Sequence, residues 1–353
     1  MPTIRQLQLQ QVRTHGAFLL DISPQVTLIT GKNGSGKTTL LEALYIALQG
    51  SSFKSSDSDV LQYEMPWWRI DVRFDDDSTR VVKYDPSKTT GKKQFIIDQK
   101  TAYRLTPRYK YTVVLFEPDD LRLLHGSPTR RRQFIDRFIS QLEPLYATTM
   151  RKYERALKQR NNLLKCDVVT ADDLFVWNVA LSEYGAEIIE QRTLFIARIN
   201  GQLNDVYNGI AHSRDTASIH YSHTLVGSVQ QKLLDELHGS VDRDRHLGYT
   251  SVGPHRHDVV FKYNDNMALS VASRGEVRTI VLALKFIEVA IIKEITRQKP
   301  IILLDDVFSE LDESRQVALM KYSKDHQMVI ATTNSHSTTY ADDITRVSLD
   351  GAD

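Results

Sequence analysis

One stretch near the start of the chain limits the possible folds more than any other: Gly31-Lys32-Asn33-Gly34-Ser35-Gly36-Lys37-Thr38-Thr39. The apolar run Val26-Thr27-Leu28-Ile29-Thr30 precedes it, and Leu40-Leu41-Glu42-Ala43-Leu44 follows. The spacing G-x-x-x-x-G-K-[ST] between a strand pattern and a helix pattern predicts a phosphate-binding loop. Glycines are needed there because the backbone must curl until successive N–H groups point inward, so Gly31, Gly34 and Gly36 carry the turn. The helix opening near Lys37 adds the positive end of its dipole. Lys37 would reach the β- and γ-phosphates of a nucleoside triphosphate, Thr38 would complete a magnesium shell, and Lys32, Asn33, Ser35 and Thr39 would line the cradle. The competing reading is a plain Gly/Ser turn, which the Lys-Thr pair and both flanks argue against.

With 353 residues, 41% of them hydrophobic, the chain can bury two or three cores. Its formal net charge of +1 rules out polyanion binding by global charge, so any nucleic-acid affinity must come from a local patch. The single cysteine, Cys166, excludes an internal disulfide and a cysteine metal cluster, which fits a reducing cytoplasm. The opening residues enter a strand-like pattern directly and do not read as a signal peptide, and no run approaches the roughly 18 apolar residues of a membrane span. The expectation is a cytoplasmic protein with no membrane partner.

Around the loop, strand and helix periods alternate. Residues 4–9, 18–22 and 26–30 read as strands and residues 37–48 as a helix, with the polar stretch 50–57 as a surface loop. Residues 68–74, 79–84 and 94–98 alternate between turn-rich segments, which predicts an antiparallel meander. Residues 111–116 form a buried-strand candidate. Ser127 then caps a helix with Pro128 at its first position, and Phe134, Ile135, Phe138, Ile139 and Leu142 recur at helical spacing. Beyond Pro144 one helix runs to about Leu164 and another starts at Asp172, so a turn near Cys166 makes an antiparallel arm. Residues 210–247 carry no clear period and stay unassigned. Residues 257–262 and 268–271 read as strands around a turn, and Gly275 opens a helix to about Arg297. Strand 301–304, helix 312–323 and strand 328–332 complete a parallel α/β core, with 346–349 as an edge strand.

Two further segments carry chemistry. Asp305 and Asp306 end a buried apolar strand, where Asp305 would hold magnesium through water and Asp306 would orient or deprotonate an attacking water. An acidic pair after a strand is also a common helix cap, and the phosphate loop is what tips the choice. Ser273-Arg274-Gly275-Glu276, just before a helix, would offer N–H donors and a hydroxyl to an anion; it is equally a capping box, and both can hold at once. Arg13, between the first two strands, either touches nucleotide or faces solvent.

The order of these segments, with Ser309 to Asp312 and the terminal Thr332-Thr333-Asn334, resembles ABC-type ATPase heads of the chromosome-maintenance and repair group. Within that group the chain is similar to the RecF recombination-mediator family. Ser251-Val252-Gly253-Pro254-His255-Arg256-His257-Asp258, Phe116-Glu117-Pro118-Asp119-Asp120-Leu121 and Gly126-Ser127-Pro128 with Arg131-Arg132-Gln133-Phe134-Ile135-Asp136 carry that likeness. At the signature, Ser273, Gly275, Arg278 and Thr279 match, while Arg274 and Glu276 replace glutamines.

The resemblance implies an α/β fold of ABC type, an SMC/Rad50-like P-loop ATPase head with an antiparallel β subdomain and an inserted helical arm. It divides the chain into an N-terminal ATPase part (1–120), the arm (121–247) and a C-terminal ATPase part (248–353). It also implies ATP and Mg2+ as cofactors, with a homodimer in which Ser273 and Gly275 of one copy complete the site of the other. Thr332 or Thr333 would sense the γ-phosphate, and hydrolysis would be slow. The implied role is recombinational DNA repair: binding double-stranded or gapped DNA and loading a recombinase beside mediators of the RecO and RecR type. Arg130, Arg131, Arg132, Arg151 and Lys152, with Arg137, Arg155, Lys158, Arg160 and Lys165, concentrate positive charge on the arm and would supply the DNA contacts; the alternative is a solvated helix face. His255, Arg256 and His257 point to a structural role rather than zinc binding. The other functional classes are the ATPase head of a transporter or other ABC machine not acting on DNA, and a kinase.

Overall fold

The computed structural model describes residues 2–166, 168, 170–223, 227–333 and 344–350. In chain order the elements are β1 (Ile4–Val12), β2 (His15–Asp21), β3 (Val26–Thr30), α1 (Lys37–Gln49), β4 (Trp68–Phe74), β5 (Thr79–Tyr84), β6 (Lys93–Ile97), β7 (Lys100–Ala102) and β8 (Val113–Phe116). There follow α2 (Pro128–Leu142), α3 (Pro144–Leu163), α4 (Ala171–Ala211), β9 (Ala217–Tyr221), α5 (Val229–Gly239), α6 (Val241–Leu247), β10 (Val259–Tyr263), β11 (Asn266–Met267), α7 (Ala268–Val271) and α8 (Arg274–Thr296). The last are β12 (Ile301–Asp305), α9 (Glu313–Ser323), β13 (Met328–Thr332) and β14 (Ile344–Ser348). These form two compact units, Met1–Leu121 with Glu288–Asp353, and Arg122–Ile287.

In the first unit a parallel sheet runs in the order β14-β3-β13-β12-β8. Strands β8, β12 and β13 are buried at every residue, as unbroken apolar runs in a parallel sheet must be. A second sheet, antiparallel in the order β2-β1-β4-β5-β6-β7, contains the expected meander. Its Leu7, Leu9, Ile70, Val72 and Val82 share one core with Leu40, Leu44 and Leu48 of α1 and with Leu303 and Val329 of the parallel sheet. Helix α1 is therefore buried nearly all round, and its first turn, where the phosphate loop ends, is held by packing on both sheets.

In the second unit Ser127 caps α2 by accepting the Arg130 N–H at 3.4 Å, with Pro128 at the first position, as its sequence predicts. A reciprocal capping box between Thr170 and Asp173 opens α4. Helices α3 and α4 pack together, and α4 also carries β9. Asn200 closes the outer edge of β9, donating to Ile219 O at 2.7 Å and accepting the Ile219 N–H at 2.8 Å. Arg160 of α3 is fully buried, bonded to Asp244 at 2.7 Å, Asn178 at 2.7 Å and Thr250 at 2.8 Å. Arg192 of α4 forms a bidentate pair with Asp136 at 2.8 Å and donates to Pro254 O at 2.8 Å.

Three features differ from the sequence expectation. Residues 268–271 form the short helix α7 and not a strand, because β11 ends at Met267 and the chain turns inward at buried Ala268. The segment without a clear period contains β9, α5 and α6. The second boundary between compact units falls inside α8 at Ile287/Glu288, where 247/248 was expected, since β10 pairs with β9 and so joins the arm. Among the described residues no helix is long and apolar enough to cross a membrane.

Candidate nucleotide site

Between β3 and α1, Gly36 has φ +91°, a left-handed conformation that side chains resist. A Cβ there would stand 2.2 Å from His15 Nε2 and 2.8 Å from Thr14 Oγ1, so the β1–β2 turn lies directly on the loop. Lys37, 6% exposed, folds back and donates to Gly31 O at 2.7 Å and Lys32 O at 2.9 Å. No carboxylate pairs with it among the described residues. Ser35 Oγ is buried without a partner, while Lys32, Asn33 and Gly34 are exposed. A curled backbone, an uncommitted cation and an unsatisfied hydroxyl together fit an anionic ligand. Thr39 is buried at the helix start, and Asp350 accepts the Lys32 N–H at 2.9 Å from outside the loop.

The parallel sheet brings the second half of the site to this loop. Thr38 Oγ1 donates to Asp305 Oδ1 at 2.8 Å, joining the start of α1 to the end of β12. Burial raises the Asp305 pKa, and the Thr38 hydroxyl with the charges of Lys54 and Lys37 oppose that rise only in part. A divalent cation would relieve the same desolvation. Thr38 and Asp305 offer it two protein oxygens, which suits Mg2+, an ion that fills its remaining positions with phosphate and water. Asp306 has φ +52°, donates its N–H to Ala331 O at 2.8 Å and accepts the Thr333 N–H on Oδ1 at 3.3 Å. Its carboxylate is thus tied to the end of β13, next to the fully buried Thr332. Asn334 lies outside the described residues.

Arg13 does not simply face solvent. Its Nε and Nη2 bind both oxygens of Glu42 on α1, at 2.7 Å and 3.0 Å, and Nη2 also donates to Ser55 at 2.8 Å. Sequence reasoning missed Glu42, Ser52, Ser55 and His15. Glu42 had a readable signal, since it stands one helical turn after Thr38 in an otherwise apolar helix.

Ser273 and Gly275 belong to the second unit. Ser273 N donates to Glu276 Oε2 at 2.6 Å and Ser273 Oγ accepts the Glu276 N–H at 3.3 Å, the reciprocal capping geometry. The Gly275 carbonyl accepts from Thr279 Oγ1 at 3.0 Å, and Tyr263 donates to Glu276 Oε1 at 3.1 Å.

The basic set divides. Arg131 is buried, bidentate to Asp258 at 2.9 Å and 2.6 Å and bonded to Gly126 O, and Arg160 is sealed in the interior; both leave the expected DNA surface because their charge is spent on internal carboxylates. Arg132 donates to His257 O at 2.7 Å and is partly buried. Arg151 and Lys152 are exposed on α3, with Lys152 over the Tyr184 ring, and Arg130 is partly exposed at the start of α2. Both histidines of the His255–His257 segment are half-buried and bonded within the protein, while Arg256 between them is exposed: His255 donates from Nε2 to Thr250 O at 3.1 Å and accepts from Tyr153 at 2.7 Å, and His257 Nδ1 meets Tyr221 at 2.9 Å.

Comparison with known proteins accounts for this arrangement. Residues 3–352 match the RecF/RecN/SMC N-terminal domain family. The chain is 33% identical to the DNA replication and repair protein RecF of Ruminiclostridium cellulolyticum, over 94% of this chain and 92% of that protein. It is 35% identical to the RecF of Streptococcus suis, over 94% and 93% of the two chains. The recombination mediator protein RecF-ATPrS of the RecFOR pathway superposes with a TM-score of 0.87 at 27% identity, covering 98% of this chain and 96% of that one. An Smc head bound to the C-winged helix domain of ScpA shares the fold, with a TM-score of 0.56 at 16% identity over 98% and 94% of the two chains. The α/β architecture is that of an SMC-type ATPase head, and the chain belongs to the RecF family of DNA replication and repair proteins.

Proposed function

We propose that this chain is an ATP-operated DNA-binding switch of recombinational repair, acting in the cytoplasm. The observation that carries the reading is the Thr38–Asp305 contact at 2.8 Å, which couples a phosphate loop to the carboxylate end of a buried strand. In this reading Gly31 to Thr39 cradle the triphosphate, and Lys37 exchanges its two carbonyl contacts for phosphate oxygens. Thr38 and Asp305 would hold magnesium, which would supply positive charge to offset that of the triphosphate. Asp306 orients the attacking water, and its short side chain makes turnover slow. Thr332 or Thr333 registers the γ-phosphate. The relatives named RecF-ATP and RecF-ATPrS support ATP as the nucleotide.

Ser273 and Gly275 of a second copy complete the site, so ATP joins two chains and hydrolysis parts them. The division of labour is an ATPase lobe built from both ends of the chain, with an inserted arm. Double-stranded or gapped DNA binds through the exposed Arg151 and Lys152 with the partly exposed Arg130 and Arg132, and mediators of the RecO and RecR type share in recombinase loading. Sedimentation with ATP, magnesium and duplex DNA tests this. Dimers are expected for the parent chain but not for Lys37→Met or Ser273→Arg, and a parent chain that stays monomeric in every nucleotide state would falsify the reading.

A further inference from the structure

Glu42 is a carboxylate that the nucleotide reading leaves unused. It is 1% exposed, on the turn of α1 that follows Thr38, in a helix otherwise packed with apolar residues. It accepts four hydrogen bonds: from Arg13 Nε at 2.7 Å and Nη2 at 3.0 Å, and from the hydroxyls of Ser52 at 2.5 Å and Ser55 at 2.7 Å. Burial raises its pKa, and these donors more than reverse that, leaving it below the ordinary carboxylate value and ionised. One of the residues it ties down, Arg13, stands next in sequence to the turn that lies on the loop. Arg13 directly precedes Thr14 and His15, whose side chains crowd Gly36. Arg13 itself is held at φ +47°, and its Nη1 has no protein partner among the described residues. A buried ion pair of this quality could serve folding alone. Here, however, one guanidinium edge is fully engaged while the other is left over beside a phosphate loop, and the acceptor is far more buried than the donor.

We propose that Glu42, with Ser52 and Ser55, is a positioning cradle that fixes Arg13 so that its free Nη1 edge meets the triphosphate. Arg13 is then the group that touches nucleotide, and Glu42 acts only through it by holding the guanidinium in one rotamer before the ligand arrives. This rests on the nucleotide reading given above.

The test is a double-mutant cycle on ATP affinity, measured by calorimetry on the full chain with magnesium, beside urea unfolding of each protein. Arg13→Ala and Glu42→Gln are each expected to weaken ATP about tenfold, the scale of one charge-assisted hydrogen bond. Together they should still cost only about tenfold, because the second change has nothing left to position. Additive losses of about a hundredfold would overturn the proposal, as would an Arg13→Ala or Glu42→Gln chain that binds ATP like the parent. A purely structural Glu42 would lower the urea midpoint and leave ATP affinity of the folded protein unchanged. If Glu42→Gln does not fold, Ser52→Ala with Ser55→Ala replaces it in the cycle, with an expected loss of about threefold and the same non-additivity. Lys37→Met separates the two levels: if it binds ATP normally the nucleotide reading itself fails, and if it does not, the cycle reports on Glu42 alone.

Discussion

Lys37 and Arg160 are both cations taken out of water, yet their surroundings differ in kind. Arg160, 0% exposed, faces an equally buried Asp244, and Asn178, Thr250 and Leu237 O accept three more of its hydrogen bonds. Lys37 at 6% exposure has, among the described residues, only the carbonyls of Gly31 and Lys32. A carbonyl is a dipole and cancels little of a net charge, so the loop stays attractive to anions, whereas the Arg160 cluster is electrically closed. For these two cations, then, the one with a buried carboxylate serves the interior of its unit, and the one held only by dipoles stands in the candidate ligand site.

The sharpest way to break this contrast is to remove one side of the closed cluster. Asp244→Ala should cost about 3–5 kcal/mol in urea unfolding, since it strands a buried guanidinium, while replacing both partners by apolar residues should cost less. Lys37→Met is the converse case. ATP affinity should fall by about a hundredfold or more, roughly 3 kcal/mol, while the melting temperature of the ligand-free protein stays level or rises, because an unpaired buried charge has gone.

A pH titration extends the contrast to the histidines. Burial holds His255 down to about 4 and His257 down to about 3, so both are neutral in the fold. Their folded pKa values lie below the unfolded value of 6.5, so the unfolded chain takes up protons first on acidification. Their stabilising contribution is complete above pH 6.5 and is lost as pH falls from there through about 4 and about 3. His257→Phe should flatten the profile. The smallest effect belongs to the exposed cations. Arg151→Ala with Lys152→Ala should change stability by about 0.5 kcal/mol or less and lower the salt slope of duplex binding by about 1–2.

Much of this was readable without coordinates, and the limits are instructive. The loop, the flanking strands and the cap at Ser127 are local patterns whose chemistry needs only neighbouring residues. Arg160 looks like part of a basic run because charge counts ignore direction. Its spacing from Tyr146, Thr149, Tyr153 and Ala156 nevertheless puts it on the buried stripe of α3, where periodicity alone would have withdrawn it from the DNA surface. Arg13 could not be resolved in the same way. Its partner Glu42 lies beyond β2, β3 and the phosphate loop, and its partner Ser55 sits in a stretch with the composition of any exposed loop. Residues 210–247 were illegible because β9 is completed by side chains of α4, a dependence that leaves no period behind.

The attachment of β14 gives the site a place in time. The strand feeding the phosphate loop, β3, has β13 on one side and β14 on the other, and Asp350 pins Lys32. At about 5–20 residues per second, the ribosome has made the loop well over ten seconds before either neighbouring strand exists. A nascent chain therefore carries the nucleotide motif without the sheet that shapes it, and competence to engage nucleotide should emerge only once synthesis has passed residue 350.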